Sequence, residues 1–328
     1  MLRRVFIAAT IVVAAAVTGC NGGSTNPPAF PTGTLVTPSP TPIPVHLYVA
    51  NDSASGAVVQ YSLPITGAST QNFSIATEAS LVTVAVDATG NMAVGNINAN
   101  LQFFNAPLSA ASAPAATFAN GGGSNTGQIT FSAAGDMFVG TTGNSVKVFT
   151  HPFSNASTPS LSITNAAFVS TIGTALDAAA NLYVSNPGTG TALTCSSGAG
   201  SCSDLLVFAP PYTGAPIVTP NVASTAYRKI AVSATQLIAS QVAGATGRVD
   251  VYNLPITAAS VPAFAITNGV NTPEAVALDA AGNLYVGNLS NATVTIYAPP
   301  FSAASAPTVT LTVGPVPGFA IFGIAIGK

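Results

Sequence analysis

Charge is what this chain has least of. Asp, Glu, Lys and Arg make up 5% of its 328 residues, against roughly 25% in an average soluble domain. There are seven Lys and Arg, two of them Arg3 and Arg4. No basic patch can therefore neutralise a run of phosphates, which excludes nucleic acid as a partner. Histidine occurs twice. A serine nucleophile needs a base such as His beside it. His46 starts a strand-like run, His151 precedes Pro152, and no G-x-S-x-G elbow occurs. P-loop and EF-hand patterns are also missing. Three cysteines, Cys20, Cys195 and Cys202, cannot build a structural zinc site, which takes four ligands, without a His nearby. The sequence thus offers no catalytic residue, no metal ligand set and no cofactor motif. Tryptophan is absent.

What fills the chain is Gly, Pro, Ala, Ser, Thr and Asn, with Val and Ile as the main large aliphatics. This is the makeup of many short strands joined by tight turns.

The first residues read as an address rather than as structure. "MLRR" is a positive start and Val5 to Val17 is an apolar core too short for a comfortable membrane span. Val17-Thr18-Gly19-Cys20 resembles the lipobox of bacterial lipoproteins. The resemblance implies cleavage before Cys20, lipidation of Cys20, and a location in the bacterial cell envelope facing the extracytoplasmic side. Residues 1–19 are then a signal peptide. Residues 20–45 hold the lipidated Cys and a Pro/Thr/Ser-rich linker without charge or apolar periodicity, which cannot bury enough surface to offset its ordering entropy. In an oxidising compartment Cys195 and Cys202, in "CSSGAGSC", are expected to form a disulfide.

Residues 46–328 repeat. A β-branched run, an aromatic, two residues and Pro recur six times, with aromatics Tyr61, Phe104, Phe149, Phe208, Tyr252 and Tyr297. Their spacings are 43, 45, 59, 44 and 45 residues. A second phrase recurs between them: "VAVDATGNMAVGN", "ITFSAAGDMFVGT", "TALDAAANLYVSN", "IAVSATQLIASQ" and "VALDAAGNLYVGN". It reads strand, tight turn, strand. Asp or Ser bonds backbone two residues on, and Gly takes the positive φ a hairpin demands. Adding a strand that ends at the aromatic, a turn after the Pro and one more strand makes four short strands every ~45 residues, the mark of a propeller blade. The ends fit together: "HLYVAND" at His46 to Asp52 is a second strand without a first, and Ile324 to Ile326 is a first strand without a second. The expected fold is all-β, a six-bladed propeller of four-stranded antiparallel blades closed by the C-terminal strand.

"PEAVALDAAGNLYVGN" resembles NHL-type repeats, found also in six-bladed propellers of the SMP-30/gluconolactonase-like group. The resemblance implies that the first strand of each blade lines the channel and that ligands meet the face where those strands begin, the top. On that face it puts Tyr227, Arg228 and Glu274 as candidate ligand-binding residues, with Arg228 and Glu274 paired across the mouth. It also puts there the insertion Pro187 to Ser203, which accounts for the long spacing. A lactonase of that group would need a metal held by channel carboxylates and Asn. Only Glu78 and Glu274 offer themselves as glutamates, so the metal set is not recognisable. The function expected is a lipid-anchored binding or scaffolding module taking a protein, peptide or glycan at its top face. The alternative is a hydrolase or lactonase with a degenerate metal site.

Overall fold

The computed structural model describes residues 44–52, 56–122, 124–187, 205–219, 227–242, 246–314 and 320–328. Their regular elements are all strands, arranged in six antiparallel sheets. Blade one joins both ends of the domain. Its order is β23 (Ile321–Gly327), β1 (His46–Asn51), β2 (Ala57–Ser62) and β3 (Phe73–Ala76). Blade two runs β4 (Leu81–Val86), β5 (Met92–Asn96), β6 (Asn100–Phe104) and β7 (Ala116–Ala119). Blade three runs β8 (Thr126–Phe131), β9 (Met137–Thr141), β10 (Ser145–Phe149) and β11 (Leu161–Thr164). Blade four has β12 (Gly173–Leu176), β13 (Leu182–Ser185) and β14 (Leu205–Phe208). Blade five runs β15 (Tyr227–Val232), β16 (Gln236–Gln241), β17 (Arg248–Asn253) and β18 (Phe264–Ile266). Blade six runs β19 (Pro273–Leu278), β20 (Leu284–Asn288), β21 (Thr293–Tyr297) and β22 (Val309–Thr312).

The split blade is the closure. Leu47 pairs with Ile326 and Val49 with Ile324, so the last strand is the innermost strand of the first sheet. The channel-side edge of β1 is thereby paired at the join. In blade four the outermost position belongs to Ile217 and Val218, which make one bridge to Val207 instead of a full strand. Pro216 precedes them and brings no N–H to a ladder.

Residues alternate so that both faces of each sheet are apolar and meet the next blade. One cluster packs Leu47, Val49 and Tyr61 of blade one on Tyr285, Val294 and Ile296 of blade six. Another packs Ala93, Leu101 and Phe103 on Ile129, Val139 and Phe149. All six repeat aromatics are buried here. Each repeat Pro follows a cis peptide bond, from Leu63-Pro64 to Pro299-Pro300.

The recurring hairpin phrase is turn chemistry. Asp279 Oδ1 accepts the N–H of Ala281 at 2.9 Å and of Asn283 at 2.8 Å, while Oδ2 accepts the Asn283 side-chain amide at 2.8 Å. Gly282 lies at φ 83°, a conformation a side chain would strain. Asp87 and Asp177 repeat the pattern, and Ser132 and Ser233 do so with a hydroxyl. The Asn that ends the phrase has another task. Asn288 and Asn186 are buried at the other end of the hairpin, and each accepts backbone N–H from the loop that enters its own blade.

Candidate functional site

Six inner strands face one another around the channel, each with one edge unpaired by another strand. Their backbone groups need partners, since burial without one costs about as much as a lost hydrogen bond. Close to where they begin, at the top, five of them carry a register shift against their neighbour: β4, β8, β15, β19 and β23. Such a bulge adds a residue and re-aims the side chains beside it.

Two long side chains from this zone fill the channel. The Gln128 amide donates to the carbonyl of Ile230 at 2.8 Å and accepts its N–H at 3.0 Å and that of Thr174 at 3.2 Å. It takes the place of a strand partner for β15 and β12. Lys229 is buried and reaches across the channel, its ammonium donating to the carbonyls of Val82 on β4 and Phe322 on β23. Burial pushes Lys229 down to about 8, with the Glu274 carboxylate opposing and Arg228 assisting.

Cavities lie on both sides of this layer. Towards the hairpins is a funnel of about 400 Å³, with Gln128 and aliphatic residues such as Val84, Ile129, Val276 and Ile324 in its wall. At the top is a cavity of about 200 Å³, with Asp52, Asn125, Arg228, Lys229, Glu274 and Phe322 around it. Ile97, in the turn between β5 and β6, and Thr142, between β9 and β10, also line it. The loops joining second to third strands therefore share the face on which the inner strands begin.

Arg228 and Glu274, from neighbouring blades, stand 3.6 Å apart as an ion pair at the mouth. Glu274 is nearly buried, and burial raises its carboxyl above the usual range while Arg228 and Lys229 pull it back. Asp52 is likewise raised by burial, against a hydrogen bond from Ser80. Arg228 Nε is buried and makes no hydrogen bond.

Tyr227 is not presented at this mouth. It is 0% exposed and packs between blades four and five. Its hydroxyl donates to Asp250 Oδ2 at 2.8 Å and lies 2.6 Å from the Tyr252 hydroxyl. Asp250, itself buried, accepts from Arg248 Nε at 2.7 Å. The expectation of a ligand contact at Tyr227 is corrected to a core role, because its aromatic ring follows the alternation that points into the blade interface. Glu78 does not line the cavity either: its Oε2 accepts the amides of Asn96 at 2.7 Å and Asn100 at 3.1 Å and ties down the β5–β6 turn. Among the described residues, no three of His, Cys, Asp and Glu come together as metal ligands. Cys20, Cys195 and Cys202, and with them the lipidation, the disulfide and nearly all of the 187–203 insertion, lie outside the described residues.

Sequence reasoning missed Gln128, Asp52 and Asp250. A signal for the first was available. At one position in the repeat, next to the small residue of each second strand, stand Thr83, Gln128, Gly173, Lys229, Ala275 and Gly323. Four are small and two are long and polar, which is how two side chains share one channel.

These features define a six-bladed β-propeller with a plugged channel and a charged top mouth. No family model matches the chain, and no curated protein matches it in sequence. Solved structures match in fold. A chain of a nidogen/laminin complex is 16% identical, with a TM-score of 0.61 over 87% of this chain and 98% of that one. A protein of unknown function from Bacteroides caccae is 10% identical, with a TM-score of 0.63 over 87% and 100%.

Proposed function

We propose that this chain is a binding module of the bacterial cell envelope, anchored through lipid on Cys20 and meeting a protein, peptide or glycan with the top face of its propeller. The observation that carries the reading is the top cavity, where four charged side chains from three blades gather in a chain with almost none to spare. The nidogen/laminin chain, a propeller from a protein complex, supports it as a precedent for the fold in recognition. The resemblance to NHL-type repeats supports it in the same way.

Site-directed photocrosslinking in cells tests the reading. Probes at Ile97 and Asn125 on the top face are expected to capture a discrete partner. Probes at Ala88 and Ala280, in the hairpin turns at the other end of the inner strands, are not. Equal labelling from both faces, or labelling from the hairpin face alone, would sink the proposal.

A further inference from the structure

Nearly every charged group of the described domain has a structural task. Asp87, Asp177 and Asp279 close their hairpins. Asp136 accepts the N–H of His151. Glu78 holds two asparagines, Asp250 holds Arg248, and Lys147 donates to Ser162. Asp52, Arg228, Lys229 and Glu274 instead line one cavity of about 200 Å³. Of these, Lys229 is engaged by two carbonyls and Asp52 by a hydrogen bond from Ser80. The Arg228 Nε–H is buried with no acceptor, and its nearest carboxylate contact, 3.6 Å, is too long for a hydrogen bond. The Arg228 side chain as a whole is 36% exposed, so its remaining guanidinium N–H groups can take an oxygen from a guest.

The guest's chemistry follows from the balance of signs. Two cations and two carboxylates surround the space. A carboxylate guest would meet Arg228 but face Asp52 and Glu274. An ammonium guest would meet the carboxylates but face Arg228 and Lys229. A hydroxyl both donates and accepts, so neighbouring hydroxyls on a neutral ring match a carboxylate on one side and a guanidinium or amide on the other. Asn125 and Phe322 complete the lining with one polar and one aromatic residue. The volume falls below the roughly 300–1,000 Å³ of a site for a drug-sized molecule, which suits one ring and not a chain. We propose that the top cavity holds one neutral sugar ring of a glycan, with adjacent hydroxyls bridging Arg228 and Glu274. The proposal rests on the reading of the top face as the binding face and narrows it.

The test uses the full chain in a detergent without sugar headgroups. Methyl glycosides of glucose, galactose, mannose and N-acetylglucosamine are titrated by saturation-transfer NMR, beside a glucuronide, glucosamine, acetate and an alkylammonium. At least one neutral glycoside is expected to bind, and to bind more tightly than the charged analogues. Glu274→Gln and Arg228→Met are expected to weaken it by about tenfold or more, as for hydrogen bonds to charged groups. The preference for neutral over charged sugars in the unaltered chain stands as a test even if a variant fails to fold. Absence of glycoside binding, or preference for the glucuronide, glucosamine or the simple ions, overturns the inference. Top-face crosslinks without glycoside binding overturn this inference alone; crosslinks confined to the hairpin face overturn the top-face reading on which it rests.

Discussion

Asp279 shows what one carboxylate does in a chain that can spend few. It accepts two backbone N–H groups and one side-chain amide, and the Tyr285 hydroxyl also reaches it at 3.2 Å. We predict that Asp279→Ala costs about 2 kcal/mol in urea unfolding, since bonds to a charged acceptor contribute roughly 1.5–3 kcal/mol and the orphaned donors can rehydrate at the surface. Asp279→Ser, imitating Ser132 and Ser233, should recover part of the loss. Lys229 gives a pH signature. Unfolded, it keeps its proton up to about 10.5; folded, it releases it from about 8. Between those values the unfolded state binds more protons at this residue, so its contribution to stability should rise with pH from 8 upward. The tyrosines oppose the trend as pH nears 10, because burial raises Tyr48, Tyr61, Tyr183, Tyr212, Tyr227, Tyr285 and Tyr297 and folding opposes their ionisation. Urea midpoints at pH 8.0 and 9.0, before the tyrosines weigh heavily, should show the rise in the natural chain and none in Lys229→Met. A flat profile in the natural chain would mean that the two carbonyls hold the ammonium as firmly as water does.

At the scale of elements, the inner strands approach more closely than side chains would allow. A Cβ on Gly323 of β23 would stand 2.8 Å from Thr83 Cα and 2.9 Å from Val84 N, both backbone atoms of β4. Neither can rotate away. Gly323→Ala is therefore predicted to separate the closing strand from blade two and cost about 1–3 kcal/mol, the range for overpacking, read as a lower denaturation midpoint. The same substitution at Gly214, which has nothing within 4 Å, should leave stability nearly unchanged and serves as the control. The six-fold repeat thus specifies strands and turns, but the bulges and the small residues beside them decide how narrow the channel is. Gln128 and Lys229 occupy what space is left.

For the whole molecule, closure is the largest single device. The β23–β1 ladder runs from His46–Gly327 to Asn51–Ile321. Deleting residues 320–328 removes it and exposes the edge of β1, whose Leu47, Tyr48 and Val49 are buried. The truncated chain is predicted to melt far below the full one and to aggregate, measured by calorimetry and light scattering; equal melting would refute closure as the source of stability. The anchor is tested apart from the fold. Cys20→Ala should release the protein from the membrane fraction, and retention would make Val5 to Val17 a true span.

The repeat of aromatic and Pro, the Asp-to-Asn hairpins and the split of one blade between His46 and Ile324 are local patterns, and the sequence by itself determined from them the blade number and the manner of closure. Period-two alternation and turn residues act within a few positions, so they survive being read along a line. The mouth is different. That Arg228 meets Glu274 was legible because both hold the same place in successive repeats. That Asp52 joins them, that Tyr227 turns inward to Asp250, and that Lys229 crosses to Val82 and Phe322 was decided only by the tertiary structure. The cavity brings together residues up to 222 positions apart, Asp52 and Glu274. These placements depend on the radius of the closed ring and on bulges that shift a side chain by one place, neither of which leaves a trace in the spacing of residues.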